Sequence, residues 1–122
     1  METSVNNKCK AFTSLNQSKK LAEILPLESA DMYWDYDVQK HEYYPMVMDD
    51  QFDDTCICAW SLAALLSFLP DGTDIIKEEA DTENEKYMCT VGVKDDIIST
   101  FGNNPIDACV AMIEKLHELN LL

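Results

Sequence analysis

The run CICAWSLAALLSFL, residues 56–69, limits the fold of this chain more than any other feature, because only Ser61 and Ser67 interrupt its fourteen residues. It is too short to cross a bilayer, which takes roughly 20 apolar residues. It is also too apolar on every side to lie on a wet surface. The expectation is a central, buried helix. Asp54 or Thr55 would accept the free N–H groups of its first turn, and Pro70 with Asp71-Gly72 would stop it. Four aspartates, Asp49, Asp50, Asp53 and Asp54, stand directly before it.

The rest of the chain has to cover that helix. Residues 1–12 are polar and read as a disordered N-terminus, leaving residues 13–122 as a single domain. Ser14 and Gln17 form an S-x-x-Q capping box that starts a helix, and Pro26 ends it. Residues 32–38, MYWDYDV, alternate as a half-buried strand with Met32, Trp34, Tyr36 and Val38 inward and Tyr33, Asp35 and Asp37 outward. Tyr43–Met48 reads as the returning strand, placed at a sheet edge by Pro45. After the apolar run come a short strand around Ile75 and Ile76, an acidic loop at residues 81–85, and a hairpin of residues 87–93 and 97–101. Asn104 caps a final helix with Pro105 at its first position, and Ile106, Cys109, Val110, Ile113 and Leu116 form its apolar face. The expected order is α-β-β-α-β-β-β-α. This is an α+β domain of about three helices on a mostly antiparallel sheet of four to five strands.

Charge removes whole classes of function. The chain carries 23 acidic residues against nine lysines, no arginine, and a formal net charge of −14. Nucleic-acid binders neutralise phosphate with Lys and Arg, so direct nucleic-acid binding is not expected, nor is attachment to an anionic membrane. Five scattered cysteines are an odd number, and the first residues lack the basic-then-apolar pattern of a secretory signal. A reduced, cytoplasmic protein is expected.

The candidate chemistry is thin. Cys56-x-Cys58 offers two thiolates, but a structural zinc site needs four ligands, and Cys9, Cys89, Cys109, His41 and His117 stand alone in sequence. Counted from Asp49 or from Asp53, the aspartates lack the Gly and Glu of a calcium-binding loop at positions six and twelve. There is no G-x-S-x-G, H-E-x-x-H or glycine-rich phosphate loop. His117 with Glu114 on the same face could act as a base, yet a histidine in a last helical turn already complements the helix dipole. No enzymatic activity, metal or cofactor is expected.

Two surface features remain. Tyr33 and Tyr43, among Asp35 and Asp37, resemble the aromatic-and-polar mixture of protein-binding surfaces. Together with Asp49, Asp50, Asp53 and Asp54 they form the candidate binding set. Two acidic blocks, residues 28–54 at −8 and residues 71–85 at −6, account for the whole net charge. They serve either solubility or a basic protein partner. The reading is an acidic accessory module acting by protein association, with homo-oligomerisation left open. The alternative is a domain binding a small ligand or a divalent cation, with the aromatic hairpin or the aspartates as contacts.

Three blocks, QSKKLAEILPLESADMYWDY (17–36), AWSLAALLSFLP (59–70) and NPIDACVAMIEKLHELNLL (104–122), cover about two fifths of the chain. In this order they resemble small uncharacterised proteins from anaerobic gut bacteria and their phages or mobile elements. That family has no established activity, so the resemblance transfers no catalytic residue. It implies a bacterial or phage-derived accessory protein.

Overall fold

A computed structural model describes residues 10–78 and 86–122. The elements are α1 (Leu15–Leu21), β1 (Met32–Asp37), β2 (Glu42–Val47), β3 (Ile57–Ala59), α2 (Leu62–Phe68), β4 (Asp74–Glu78), β5 (Lys86–Val93), β6 (Asp96–Gly102) and α3 (Pro105–Glu118), with a 3₁₀ turn at Leu27–Ser29. Among the described residues the class is α+β with three helices, as expected. The strands differ: six strands among these residues form two three-stranded antiparallel sheets, in the orders β2-β1-β3 and β4-β5-β6. The expected acidic loop at residues 81–85 lies outside the described residues, as do residues 1–9.

The apolar run supplies the extra strand. Instead of one helix from Cys56 to Leu69, Ile57, Cys58 and Ala59 pair antiparallel with Trp34, Tyr33 and Met32. The helix waits for Ser61, whose hydroxyl accepts the Ala64 N–H at 3.2 Å. Asp31 secures this change of direction by accepting both the N–H and the hydroxyl of Ser61, at 2.9 and 2.5 Å. Ser61 therefore begins α2, and neither Asp54 nor Thr55 does. Leu65 is the one fully buried residue of α2, while Leu66 is exposed, so α2 is a half-buried surface helix.

Other local signals act as read. In α1, Ser14 Oγ accepts the Gln17 N–H at 3.1 Å and Gln17 Oε1 accepts the Ser14 N–H at 3.0 Å. Pro45 lies on β2, an outer strand of its sheet. At the other end of the chain, Asn104 Oδ1 accepts the Asp107 N–H at 2.8 Å and Pro105 opens α3. All five residues expected on the apolar face of α3 are buried, and Ala108 and Met112 join them. Residues 10 and 12 make contacts with the rest of the fold. Phe12 bridges to Ser61 and meets the Trp34 ring edge-on at 5.7 Å, and Lys10 pairs with Asp107 at 2.9 Å.

One core joins the sheets. Leu21 and Leu25 from the α1 region, Cys58 of β3 with Trp60 beside it, Leu65, Cys89 and Val91 of β5, and the buried face of α3 form a single cluster. Gly102 ends β6 where α3 passes closest. A Cβ there would lie 2.5 Å from the Ala108 nitrogen and 2.8 Å from the Asp107 carbonyl carbon, both backbone atoms that cannot swing aside.

Two substitutions test this junction in thermal denaturation. Gly102→Ala should destabilise the fold by about 1–3 kcal/mol through overpacking. Asn104→Ala should cost about 1 kcal/mol through loss of the helix cap.

Candidate functional site

The residues expected to form one binding surface divide between two roles. Tyr33, expected outward, is fully buried. Its strand neighbour is buried Cys58, its ring meets Phe52 edge-on at 5.4 Å, and its hydroxyl donates to Asp49 Oδ1 at 2.6 Å. Of the residues expected inward, Met32 and Trp34 are half-buried, Tyr36 is exposed and Val38 more so. A phenol can be buried here because Asp49 satisfies its hydroxyl. That hydrogen bond first, then burial and the Asp49 charge, hold the phenol far above its ordinary pKa.

Several of the aspartates serve local turns. Asp37 Oδ1 accepts the N–H groups of Gln39 and Lys40 at 2.9 and 3.2 Å and closes the β1–β2 hairpin. Asp49 Oδ1 accepts from Gln51 N–H at 3.0 Å as well as from Tyr33. Asp53 Oδ1 accepts the Thr55 N–H and hydroxyl at 2.9 and 2.6 Å, and these two bonds hold its pKa below the usual value. Side-chain acceptors of this kind replace the backbone partners a turn lacks. Asp50 and Asp54 are exposed, and make no hydrogen bond or ion pair among the described residues.

The distal half of the hairpin does bring the aromatic residues together. Tyr44 donates to Asp35 Oδ2 at 3.2 Å, and burial with this bond raises its pKa. Tyr36 and half-buried Tyr43 meet edge-on at 5.0 Å on the opposite face. The candidate tyrosines therefore lie on different faces: Tyr33 inside, Tyr43 with Tyr36 outside.

Cys56 sits where this hairpin meets the aspartate loop, residues 48–56 between β2 and β3. Its thiol lies 3.8 Å from Asp35 Oδ1 and 3.6 Å from Asp53 Oδ1. Burial and the two carboxylates push its pKa up, the opposite of what a nucleophilic cysteine needs. Cys58 is buried and likewise raised. Cys89 and Cys109 meet inside the core, where the thiol–thiol hydrogen bond and burial keep Cys109 protonated. Among the described residues, no group of three or more His, Cys, Asp and Glu could hold a metal ion.

Two features escaped the sequence reading. One is a cleft of about 440 Å³ between α1, the Leu27 turn, the aspartate loop and β3; Lys19, Glu23, Leu27, Phe52, Asp54 and Ile57 are among its walls. The other is the outer face of the second sheet. Residues paired across antiparallel strands share a face, and Ile76 pairs with Met88, which pairs with Phe101. Ile76 is 45% exposed, Phe101 52%, and Ile97 on the same face 76%. Asp74 and Glu78 flank Ile76 on this side, while Cys89 and Val91 point into the core.

No protein-family model, curated protein or solved structure matches the chain. Among the described residues, no helix is long and apolar enough to cross a membrane.

Two pH-dependent outcomes follow. Cys56 is the cysteine among the described residues that is not buried. Its alkylation by iodoacetamide should rise with pH later than that of a free thiol, as peptide mapping over pH 7–10 would show. Because the folded pKa of Tyr33 is raised, its contribution to stability is fully present below the unfolded value of about 10 and fades as pH rises beyond it. Denaturant unfolding should therefore find wild type more stable than Tyr33→Phe at neutral pH, with the gap narrowing above pH 10.

Proposed function

We propose that this chain is a non-enzymatic accessory module of bacterial or phage origin, acting by association with a basic protein. The observation that carries the reading is the apolar row Ile76–Met88–Phe101, with Ile97, on the open face of the second sheet. An antiparallel sheet with one face on the core normally turns polar side chains to water on the other. A row of large apolar side chains in register across three strands is an energetic liability unless something covers it.

Charge selects what covers it. A second copy would bring another −14 to the contact and be repelled at moderate salt. A partner with an apolar strip and flanking lysines or arginines gains on both counts, since Asp74 and Glu78 border the row. Carboxylates at the rim govern encounter rate and partner choice more than they govern affinity. The apolar row supplies the desolvated centre that holds the complex.

A designed amphipathic helix, leucine on one face and lysine on the other, is a direct probe, with its leucine–glutamate counterpart as control. The lysine peptide should bind, weakening steeply between about 50 and 500 mM salt. Ile97→Thr/Phe101→Thr keeps strand-forming residues at exposed positions, so it should leave stability within about 1 kcal/mol and abolish binding. Equal binding of both peptides, or undiminished binding to the variant, sinks the reading.

A further inference from the structure

We propose that the cleft between α1, the Leu27 turn, the aspartate loop and β3 binds an aliphatic cation: an ammonium or guanidinium head on a short hydrocarbon stem. The site lies on the first half of the molecule and shares no residue with the open face of the second sheet, so each can fail without the other.

The shape comes first. Its volume, about 440 Å³, falls within the range of small-ligand sites, roughly 300–1,000 Å³. Ala22, Leu27, Phe52, Ile57 and Cys58 give the cleft an apolar lining, and Leu27 remains 52% exposed there in the free chain. An aliphatic stem laid on this lining would remove apolar surface from water, which is the usual driving force for such sites.

The rim comes second. Glu23, Asp53 and Asp54 border the cleft with Lys19 as the one cation. None of the three carboxylates makes an ion pair among the described residues, and Lys19 does not pair with Glu23, which lies just past the end of α1. Asp53 uses Oδ1 for Thr55 and Cys56, and among the described residues no hydrogen bond engages its Oδ2. These carboxylates do not converge into a set that could hold a metal ion. A small inorganic ion would find fewer than three such ligands and leave the apolar lining uncovered. An organic cation with a stem several carbons long satisfies both parts at once, as lysine and arginine side chains do when their stems lie on apolar surface and their heads stay polar. An anion or a neutral chain of the same length would leave the carboxylates repelled or unengaged.

The test is an NMR titration of the whole chain with hexylammonium, hexanol and hexanoate at equal concentrations. Hexylammonium should give saturable shifts at Ala22, Leu27 and Ile57, hexanol weaker ones and hexanoate none. Glu23→Gln/Asp54→Asn should weaken hexylammonium by about five-fold at low salt, as expected for two exposed charges. A peptide with a single lysine that displaces hexylammonium from these residues would identify a protein side chain as the natural source. Its exclusion, with hexylammonium still bound, would identify a free amine. Either outcome supports the cation chemistry.

A second measurement needs no substitution. Cys56 lines the cleft, so methanethiosulfonate reagents bearing a cationic or an anionic group report its potential and access. The cationic-to-anionic rate ratio at Cys56, normalised to a free thiol, should exceed one by several-fold. A ratio of one, equal affinity for hexanol and hexylammonium, or no shifts at millimolar concentration would overturn the proposal.

Discussion

The second sheet, α1 and α2 all depend on one contact surface, the buried face of α3. Seven of its residues are buried, and it packs against β5, β6, α1 and α2. Each large apolar side chain so buried contributes on the order of 1.5–3 kcal/mol, so this helix supplies much of the core. Its first turn also fixes its neighbours. Asp107 receives Asn104 Nδ2 on one oxygen and both Lys10 Nζ and Gln17 Nε2 on the other. A single partly buried carboxylate thus ties the N-terminal segment and α1 to α3, while Gly102 lets β6 approach the same turn.

Where sequence punctuation is chemical, it could be read. Ser14–Gln17 and Asn104–Pro105 each name a helix start through atoms that make the bonds expected of them. Pro45 marks an outer strand because it has no N–H to give to a further neighbour. The apolar run at 56–69 was misread because continuous apolarity does not distinguish a short buried strand followed by a helix from one longer helix. The distinguishing residue was Ser61. It looked like a small flaw in an apolar helix and is in fact its cap. Tyr33 was placed outside because two of its β1 face-mates are aspartates. Only the first half of β1 lies over the core, however, so its face is buried at Tyr33 and half-wet at Asp35 and Asp37. Asp49, the residue that makes burial of the phenol tolerable, lies sixteen positions away and gives no local hint.

The apolar row and the cleft were harder to read for a related reason. Ile76, Ile97 and Phe101 look like core residues in any window, and only the register of β4, β5 and β6 shows them on the outside. The cleft beside β3 needs α1, the Leu27 turn and the aspartate loop together before it exists. The acidic residues were legible in number, but their hydrogen bonds within turns were not. Asp37, Asp49 and Asp53 each accept turn hydrogen bonds, while the charge they carry still contributes to the negative field around the molecule.

Thr13 carries a consequence for how the chain is made. Its N–H donates to the Trp60 carbonyl at 2.9 Å, its hydroxyl accepts the Trp60 N–H at 3.1 Å and pairs with Ser18 Oγ at 2.8 Å, and its own carbonyl accepts from the Trp34 indole at 3.3 Å. All but Ser18 of these partners are synthesised well after Thr13. Until they emerge from the ribosome, a residue destined for complete burial stays hydrated, and α1 has nothing to pack against. Lys10 and Gln17 wait longer still, for Asp107. The segment around Thr13 is thus among the last to be secured, so a chain stalled before α3 would hold hairpins without a core and depend on whatever shields nascent apolar surface in the cell.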